Sequence, residues 1–360
     1  MEKLISIVNL FAVSGKVLSV LPLGEGLINT TYQVLTEGSG KPSYVLQKIN
    51  HHIFTDVDLL QKNIQAVTGH IRRKLQASGE KDIDRKVLHF LPLKDEEKTY
   101  FYDRETDTYW RIMDFIDART YQLVDPHYSE ICGEAFGHFQ SMLSDISEPL
   151  GETIPDFHNM EFRLEQFKEA IAKDASGRMA EVKDLVDALL RRSEKMCQAE
   201  RLFREGKLPK RICHCDTKVN NMLFDDQGNV LCVIDLDTVM PSFIFSDYGD
   251  FLRTAANTLR EDDPDYDGIA FRKDIFEAFT RGYLRGADFL TPLEKEMLPY
   301  AVELFPYMQC VRFLTDYIGG DTYYRITHEK HNLERSLNQM KLLECIEECE
   351  PYMKAFIESL

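Results

Sequence analysis

Residues 214–221 read HCDTKVNN and residues 234–237 read IDLD, and these two stretches contain the densest polar chemistry of the chain. They lie among short apolar runs: KRICH at the first, NMLFDD after it and NVLCVIDLD around the second. Such runs predict short strands, and the last two are joined through DDQG as a hairpin. Acidic, basic and amide side chains are therefore predicted at the ends of strands.

The spacing within HCDTKVNN matches the D-x-K-x-x-N pattern of kinase catalytic loops. Phosphoryl transfer needs a carboxylate to orient the attacking hydroxyl, oxygen ligands for magnesium and donors around the phosphates. We predict Asp216 as the catalytic base, Lys218 as a contact to the transferred phosphate and Asn221 as a ligand of Mg²⁺. His214 is predicted to brace the loop through hydrogen bonds.

Asp235 ends an apolar strand, where its carboxylate would complete a magnesium site. Asp237 follows two residues later, and we assign it to the substrate. The structural alternative is that Asp216 and Asn221 form a turn and that Asp235 caps a strand, because Asp and Asn favour such places. The spacing of Asp216 and Asn221 and the strand-end Asp235 flank one hairpin, with a His and a Lys in register. This combination favours a catalytic role over a structural one.

The rest of the chain divides into a strand-rich part and a helical part. Strand-like runs extend from Val17 to about Ile116: VLSVLPL, TTYQVLT, YVLQKI, VLHFLPL, KTYFYD and TYWRIMDFI, interrupted by one helical stretch, DVDLLQKNIQAVTGHIRRKL. Helical periodicity follows from about Asp117. We predict an α+β chain with a small sheet-rich nucleotide-binding lobe, residues 1–116, and a larger, mainly helical catalytic and substrate-binding lobe, residues 117–360. A hinge near Met113 to Ile116 would join them.

Two features of the first lobe suggest nucleotide binding. LGEGLINTTY places Gly24, Gly26 and Asn29 between two predicted strands, where backbone amides could approach phosphates; the alternative is a simple hairpin turn. Lys48, in YVLQKIN, stands where kinases carry a strand lysine to the phosphates; the alternative is an exposed strand lysine. The following helix has no Glu to pair with Lys48, and three of its residues could substitute: Gln61, Asn63 and Gln65.

Two further segments of the helical part carry polar residues. Asp250, in SDYGDFLR, is predicted to hydrogen-bond backbone amides of the catalytic loop. Arg312 and Asp316, four residues apart in CVRFLTDY, form either a helix salt bridge or a polar face turned toward a substrate.

Composition and charge narrow the possible partners. The chain has 360 residues, with 43 Lys and Arg against 60 Asp and Glu and a formal charge of -17. Such a surface repels nucleic acid and anionic membranes. The sequence shows no secretion signal and no apolar run of membrane length, and its eight cysteines lack the spacing of a disulfide scaffold. We expect a cytoplasmic protein without an obligate protein partner.

The combination of HCDTKVNN, IDLDTVMP and SDYGDFLR resembles the aminoglycoside phosphotransferase and choline kinase superfamily, which has a two-lobed protein-kinase-like fold with an antiparallel sheet in the small lobe. Within it the chain is most similar to the N-acetylhexosamine 1-kinases, over nearly its whole length, for example in GLINTTYQV, YWRIMDFI and RFLTDYIGGDTYY. The resemblance implies ATP-dependent phosphorylation of the anomeric hydroxyl of N-acetylglucosamine or N-acetylgalactosamine. It also implies Asp216 as base, Asn221 and Asp235 as Mg²⁺ ligands, and Arg312 facing the sugar. Cys215 departs from the family, because Gly or Asn is more usual there.

The implied mechanism places ATP between the lobes, with the adenine against Met113 to Phe115 and the phosphates under a flap from Gly24 to Asn29. Asp216 would take the proton of the sugar hydroxyl. Two alternatives stay open. One is a kinase of the same superfamily that acts on choline, homoserine, another sugar or an aminoglycoside, and an amine would call for acidic and aromatic residues around the cleft. The other is a pseudokinase that binds nucleotide without chemistry.

Overall fold

The computed structural model describes residues 2–24, 28–121 and 124–360, and the chain forms two compact units. Unit 1 comprises Met1–Thr120, Asp145–Pro155 and Met222–Met240. Unit 2 comprises Tyr121–Ser144, Asp156–Asn221 and Pro241–Leu360. Both units draw on several stretches of the chain, and the predicted lobe boundary after Ile116 stays a prediction.

Unit 1 is built on a five-stranded antiparallel sheet with the strand order β1-β2-β3-β5-β4. The strands are β1 (Val17–Pro22), β2 (Thr30–Thr36), β3 (Pro42–Ile49), β4 (Phe101–Asp103) and β5 (Thr108–Asp114). Successive side chains point to opposite faces of a sheet. On one face, Val34, Leu46 and Ile112 are buried in a core cluster with Val8 of helix α1 (Glu2–Val8).

The helix predicted between β3 and the next strand is α2 (Val57–Ala77). Asp56 caps its N-terminus, because the carboxylate accepts a hydrogen bond of 2.9 Å from the Leu59 N–H. The buried apolar residues of α2 recur with helical spacing: Leu60, Ile64, Val67 and Ile71. The amphipathic pattern in the sequence therefore predicted this helix correctly.

The run VLHFLPL at residues 87–93 is not a strand, contrary to the sequence prediction. Phe90 forms one isolated bridge with Met113, and Leu93 forms one with Phe11. Pro92 has no N–H to donate, so the run cannot continue a ladder through it. Its apolar pattern reflects burial of the side chains and not strand pairing.

The hairpin predicted after the catalytic segment is present. β7 (Met222–Phe224) pairs antiparallel with β8 (Val230–Val233). The Asp225 carboxylate closes the turn by accepting hydrogen bonds of 2.8 Å from the N–H groups of Gln227 and Asn229. The strand predicted in KRICH is β6 (Arg211–Cys213), which pairs with β9 (Met240–Ser242).

Unit 2 is mainly helical. Its helices are α3 (Pro126–Met142), α4 (Met160–Lys173), α5 (Lys183–Met196), α6 (Gln198–Arg204), α7 (Phe245–Ala255), α8 (Lys273–Gly286), α9 (Pro292–Glu296), α10 (Leu298–Gly319), α11 (His331–Glu348) and α12 (Glu350–Glu358). Helix α10 is buried around most of its circumference, so its sequence shows little amphipathic periodicity. Over the three described ranges, no helix has both the length and the apolar character needed to cross a membrane.

Helices α3 and α8 pack at very short range through glycines. A Cβ built on Gly133 would lie 2.3 Å from a backbone oxygen of α8, and one on Gly282 would lie 1.9 Å from the Glu130 carbonyl oxygen. Gly137 and Gly286 make similar approaches one turn further along their helices. Residues four apart share one helix face, so the two backbones meet along a glycine seam.

Candidate active site

The catalytic segment, residues 214–221, leaves β6 through a sharp turn in unit 2. Cys215 has a φ of +63°, a left-handed conformation that suits Gly or Asn better than most residues. The turn is held by Asp247 of α7, whose carboxylate accepts hydrogen bonds from the N–H groups of His214 (2.9 Å) and Cys215 (2.8 Å). The prediction that Asp250 holds these amides was wrong, because Asp250 pairs with Arg253 at 3.3 Å.

His214 is fully buried and contacts the rings of Phe136 and Phe139 edge-on. Its Nδ1 accepts a hydrogen bond of 3.3 Å from the Asp216 N–H. A nitrogen that accepts this bond carries no proton, so the neutral ring is protonated on Nε2. His214 has the bracing geometry that the sequence predicted.

Asp216, Lys218 and Asn221 are in direct contact. The Lys218 Nζ lies 2.5 Å from Asp216 Oδ1. The Asn221 Nδ2 donates to the Asp216 backbone oxygen at 2.7 Å and approaches Asp216 Oδ2 at 3.2 Å. The structure thus brings together three of the residues that the D-x-K-x-x-N spacing singled out.

The charge of Lys218 governs the protonation of this group. Burial acts to raise the pKa of the Asp216 carboxyl, but the positive charge and hydrogen bond of Lys218 outweigh it, so the pKa lies below its ordinary value. Burial acts to lower the pKa of Lys218, while Asp216 and Asp250 raise it above its ordinary value. Asp216 is therefore ionised and Lys218 protonated at neutral pH.

Asp247 and Asp250 are more deeply buried than Asp216, and their pKa values are raised, whereas that of Asp216 is lowered. Burial raises the pKa of Asp247 to about 6, although the amides of His214 and Cys215 oppose this. Burial likewise raises the pKa of Asp250, against the charge of Arg253. Of these carboxylates, the partly exposed Asp216 is the one whose environment favours ionisation most.

The second acidic stretch belongs to unit 1. Asp235 follows β8 with a φ of +61°, a left-handed conformation that Asp tolerates better than most residues. Its carboxylate is a hard oxygen donor of the kind that Mg²⁺ prefers. Asn221 in unit 2 offers the same chemistry, because its amide nitrogen faces Asp216 and its amide oxygen is therefore turned away.

The amide oxygen of Asn221 and the carboxylate of Asp235 are each donors that suit magnesium better than a soft metal. Within residues 2–24, 28–121 and 124–360, the His, Cys, Asp and Glu side chains form no group of three that could hold a metal ion. Two protein oxygens are nevertheless usual for Mg²⁺, which keeps several waters and is bound largely through substrate phosphates. The residues present are consistent with that mode.

Asp237 is engaged within the protein. Its Oδ1 lies 2.6 Å from the Arg111 Nη1, and its Oδ2 accepts a hydrogen bond of 2.6 Å from the Asn29 Nδ2. Both side chains of the ion pair are nearly inaccessible to solvent, at 2% for Arg111 and 4% for Asp237. Its assignment to the substrate stays a prediction, but these contacts give the carboxylate a structural task.

The flap predicted between β1 and β2 is described in part. Gly24 has a φ of +67°, so its backbone conformation favours glycine, while Gly26 lies outside the described residues. Asn29 is buried, and its Oδ1 accepts a hydrogen bond of 2.9 Å from the Asn50 N–H. The Asn29 side chain therefore joins Asn50 to Asp237, and a contact of this segment with phosphates stays a prediction.

Lys48 lies on the opposite face of the sheet from Arg111. In the β3–β5 register Lys48 pairs with Trp110 and Gln47 pairs with Arg111. Trp110 belongs to the core cluster on the face that α1 covers, so Lys48 shares that face and Gln47 does not. Its predicted contact with the phosphates stays a prediction, and the register does not favour it.

The polar residues of α2 bond elsewhere. The Asn63 Nδ2 donates to the carbonyl oxygens of Gly151 (2.7 Å) and Val239 (3.0 Å). Gln61 and Gln65 both contact the Thr99 hydroxyl. These are structural contacts of unit 1, so α2 holds backbone segments in place.

Met113 and Phe115, predicted to face an adenine, lie at the end of β5. The Met113 side chain is buried and lies on the same face of the sheet as Arg111, because side chains two residues apart on a strand point the same way. The N–H of Phe115 donates to the Ser43 carbonyl oxygen at 3.0 Å, and that of Asp114 donates to the His89 carbonyl oxygen at 3.0 Å. These two backbone donors are engaged in the protein, and the adenine contact stays a prediction.

Arg312 and Asp316, both on α10, do not form the predicted helix salt bridge. Asp316 instead accepts hydrogen bonds from the backbone N–H groups of residues 322, 323 and 324 and from the Asn332 side chain. The Arg312 Nη1 donates to Gln309 Oε1 at 3.1 Å. Asp316 thus shapes the loop after α10, while its contact and that of Arg312 with a substrate stay predictions.

Sequence reasoning missed an arginine–aromatic cluster around Arg312 in unit 2, which we define as Phe157, His158, Arg163, Arg312 and Tyr324. The Arg312 guanidinium lies 5.4 Å from the Phe157 ring centre and 5.7 Å from that of Tyr324. Arg163 donates to the Phe157 carbonyl oxygen and to Gln166 Oε1. Of these residues, sequence reasoning singled out only Arg312; the segment from Phe157 to Arg163 carries no recognisable motif and lies far from Arg312 in the chain.

Electrostatics confirm that the cluster is cationic. Burial and the neighbouring charge of Arg312 lower the pKa of Arg163 to about 10. Burial, followed by Arg312, Arg163 and Arg253, lowers the pKa of His158 well below its ordinary value, so this ring is neutral. Two guanidiniums whose hydrogen bonds go to neutral oxygens therefore lie close together.

Comparison with known proteins identifies the family and the fold of this chain. A family model described as APH, phosphotransferase enzyme family, matches residues 19–289, which include the catalytic segment and Asp235. The chain belongs to this phosphotransferase family. It is therefore an enzyme that transfers phosphate to hydroxyl groups of small molecules.

Solved structures show the same fold at low sequence identity. A spectinomycin phosphotransferase, in complex with ADP and spectinomycin, is 14% identical with a TM-score of 0.55, over 100% of this chain and 98% of that chain. A microcompartment-associated aminopropanol kinase is 15% identical (TM-score 0.61), over 98% of both chains. Choline kinase from Cryptosporidium parvum Iowa II is 15% identical (TM-score 0.58), over 99% of both chains. The predicted α+β, protein-kinase-like fold is confirmed.

Proposed function

We propose that this enzyme uses ATP and Mg²⁺ to phosphorylate the anomeric hydroxyl of an N-acetylhexosamine, giving the sugar 1-phosphate. The proposal of ATP is supported by the structural neighbour solved in complex with ADP and spectinomycin. Related enzymes are named for amines such as choline and aminopropanol as well as for an aminocyclitol antibiotic. The choice of acceptor therefore has to come from residues of this chain.

The arginine–aromatic cluster is the observation that carries the choice of a sugar. An amine acceptor would call for carboxylates and aromatic rings, whereas this cluster combines its rings with Arg163 and Arg312. Guanidinium N–H groups donate to hydroxyl and carbonyl oxygens and repel ammonium groups. A neutral sugar with an acetamido group suits such donors, and Arg312 is the residue that the family resemblance directs to the sugar.

In the proposed reaction Asp216 orients the acceptor hydroxyl through its carboxylate. Oxygen attacks the γ-phosphorus, the bond to the bridging oxygen of ADP breaks, and Asp216 takes the hydroxyl proton. Such transition states are loose, so the hydroxyl becomes acidic late and a carboxylate of low pKa suffices. Lys218 lies beside Asp216, where its ammonium can offset charge on the transferred group.

Asn221 and Asp235 are the residues that would hold Mg²⁺, which would supply neutralisation of the phosphate charges. Asn221 has a second task that needs no metal. Its amide nitrogen fixes the backbone and carboxylate of Asp216. The orientation of the base and that of the amide oxygen are therefore set by the same side chain.

The test is a panel of acceptors incubated with purified enzyme and ATP. N-acetylglucosamine and N-acetylgalactosamine should be phosphorylated, whereas choline, homoserine, aminopropanol and spectinomycin should not. Phosphorus NMR of the product should show a phosphate coupled to the anomeric proton. Turnover of an amine without turnover of any hexosamine would contradict the proposal, and nucleotide binding without transfer to any acceptor would favour a pseudokinase.

Asp216→Asn is the matching variant, and it should lower kcat by about 10²–10⁴-fold with little change in thermal stability. Asp226→Asn is the control, because Asp226 is an exposed carboxylate of the β7–β8 hairpin paired with Arg119. Near-full activity in Asp216→Asn would remove Asp216 as the base.

A further inference from the structure

Four polar side chains of unit 1 form one connected group on the face of the sheet opposite α1, and we call them the sheet-face cluster: Asn29, Gln47, Arg111 and Asp237. The Arg111 Nε and Nη2 donate to Gln47 Oε1 at 2.9 and 2.8 Å. Its Nη1 lies 2.6 Å from Asp237 Oδ1, and Asn29 donates to Asp237 Oδ2. Gln47 in turn donates to the Thr31 hydroxyl at 3.2 Å.

Each member comes from a different segment. Asn29 immediately precedes β2, Gln47 is on β3, Arg111 is on β5, and Asp237 follows β8 by four residues. The cluster therefore ties Asn29, directly before β2, and the segment after Asp235 to the same two strands, β3 and β5. The hydrogen bonds from Arg111 to Gln47 and from Asn29 to Asp237 depend on direction as well as distance, so this arrangement is more specific than apolar packing would be.

The backbone beyond Asp235 is held at two further points. The Thr153 hydroxyl donates to the Asp237 carbonyl oxygen at 2.8 Å. Asn63 donates to the Val239 carbonyl oxygen at 3.0 Å. Together with the side-chain contacts of Asp237, these bonds restrain the chain directly after the left-handed residue Asp235.

A buried ion pair seldom adds net stability over apolar residues of the same shape. The geometry that the pair imposes is therefore the more plausible role for two charged side chains at 2% and 4% exposure. Asp235, the predicted metal ligand, precedes Asp237 by two residues in the chain. The Arg111 Nε and Nη2 donate to Gln47, while its Nη1 makes an ion-pair contact with Asp237 that lacks hydrogen-bond geometry, so Arg111 contacts neighbouring protein groups.

We propose that Arg111 and Asp237 are positioning residues for nucleotide binding, which set the direction of the Asp235 carboxylate and of the segment at Asn29. On this view Arg111 acts on the nucleotide site through Asp237. It takes the part that was predicted for Lys48 of β3, and it does so on the face of the sheet opposite α1. The inference rests on the proposed function, because it assumes that Asp235 meets the metal–nucleotide.

The test compares two buried acid-to-amide changes. Asp237→Asn leaves Arg111 without its charge partner. Glu294→Gln is the matched control in unit 2, because Glu294 is fully buried and paired with Arg211 through two contacts of 3.0 Å. Affinity for ADP is measured by calorimetry with and without Mg²⁺, at a temperature where both variants are folded.

Asp237→Asn should weaken ADP binding at least tenfold with Mg²⁺ present and less in its absence, whereas Glu294→Gln should change it less than twofold. In turnover, KM for ATP should rise in Asp237→Asn while KM for the acceptor stays constant. Equal ADP affinities in the two variants would show that the cluster is merely structural and would overturn the proposal.

A milder variant keeps the test informative if Asp237→Asn does not fold. Gln47→Met removes the acceptor of two Arg111 hydrogen bonds while retaining side-chain length, and it should weaken ADP binding severalfold in the same Mg²⁺-dependent way. Unchanged binding in a folded Gln47→Met would also overturn the proposal. If the unmodified enzyme bound no ADP, the proposed function itself would fail, which is a different outcome.

Discussion

At the scale of single residues, the state of the catalytic carboxylate is decided by one neighbour. Asp216 is half-buried, and burial alone would raise its pKa. Lys218, at 2.5 Å, reverses the direction of the shift and keeps Asp216 ionised. A base with a lowered pKa suits a reaction in which the hydroxyl proton is transferred late.

This pair predicts the pH dependence of the reaction. Burial raises the pKa of Asp216, and the positive charge of Lys218 lowers it. Because Lys218→Gln removes that charge, the pKa of Asp216 should rise. Since the ionised carboxylate is the active form, the acidic limb of kcat/KM should move to higher pH. The measurement is a kcat/KM profile from pH 4 to 8 on protein verified as folded at each pH.

The control for that profile is Lys173→Gln, which removes an exposed lysine paired with Glu169 on α4. Its acidic limb should coincide with that of the unmodified enzyme. A Lys218→Gln enzyme with reduced kcat but an unmoved acidic limb would mean that Lys218 acts on phosphate without tuning Asp216.

At the scale of elements, the α3–α8 seam positions the helices beside the catalytic segment. Gln140 of α3 donates to Asp247 Oδ2 at 2.8 Å, and Tyr283 of α8 donates to Gln140 Oε1. Asp247 in turn holds the amides of His214 and Cys215. The close approach of the two glycine faces therefore supports the turn that carries Asp216.

A single methyl group added to a glycine of the α3–α8 seam should strongly reduce the stability of the protein. In Gly282→Ala the new Cβ would lie 1.9 Å from the Glu130 carbonyl oxygen, so the helices must separate. We expect a loss of about 1–3 kcal/mol in the free energy of unfolding, the usual range for overpacking. Urea denaturation followed by circular dichroism measures it.

Gly69→Ala on α2 is the control for helix propensity. Its Cβ would meet only the end of the Arg73 side chain, at 3.6 Å. Without a clash, alanine should stabilise a helix interior by about 0.5–1 kcal/mol. Equal and small effects at both glycines would mean that the seam is not rigid.

At the scale of the whole molecule, the compact units do not follow the order of the chain. Unit 1 needs Asp145–Pro155 and Met222–Met240 in addition to its N-terminal part. Three of its internal contacts depend on those additions: Asn63 with Gly151, Asn63 with Val239, and Arg111 with Asp237. The lobe boundary after Ile116 stays a prediction, and these contacts indicate that residues 1–116 depend on later parts of the chain.

A fragment of residues 1–116 should consequently lack cooperative unfolding. Without Asp237, Arg111 would be left buried and unpaired, at a cost of about 3–5 kcal/mol typical of broken buried pairs. Thermal scans by circular dichroism and calorimetry test this against the full chain. A sharp unfolding transition in the fragment would contradict the prediction and would support an autonomous N-terminal lobe.

Much of the architecture and the core of the catalytic segment followed from local sequence. Helix α2 and the β7–β8 hairpin are marked by periodicity and turn residues within the segments themselves. Asp216, Lys218 and Asn221 contact one another within five residues of chain, so their spacing alone indicated their association. Amphipathic periodicity and short motifs involve residues that are close together in the chain. The sequence alone therefore determined the kinase-like class.

Tertiary structure alone decided the partners of those residues. Asn29 meets Asp237 across 208 positions, and Asp247, not Asp250, holds the catalytic turn from 33 positions away. The face on which Lys48 lies depends on strand register, since a shift of one residue would exchange it with Gln47. Arg163 and Arg312 likewise approach each other only through folding. The sequence therefore determined the chemistry of the catalytic segment, while long-range packing decided which charges surround it, because such contacts have no local signature.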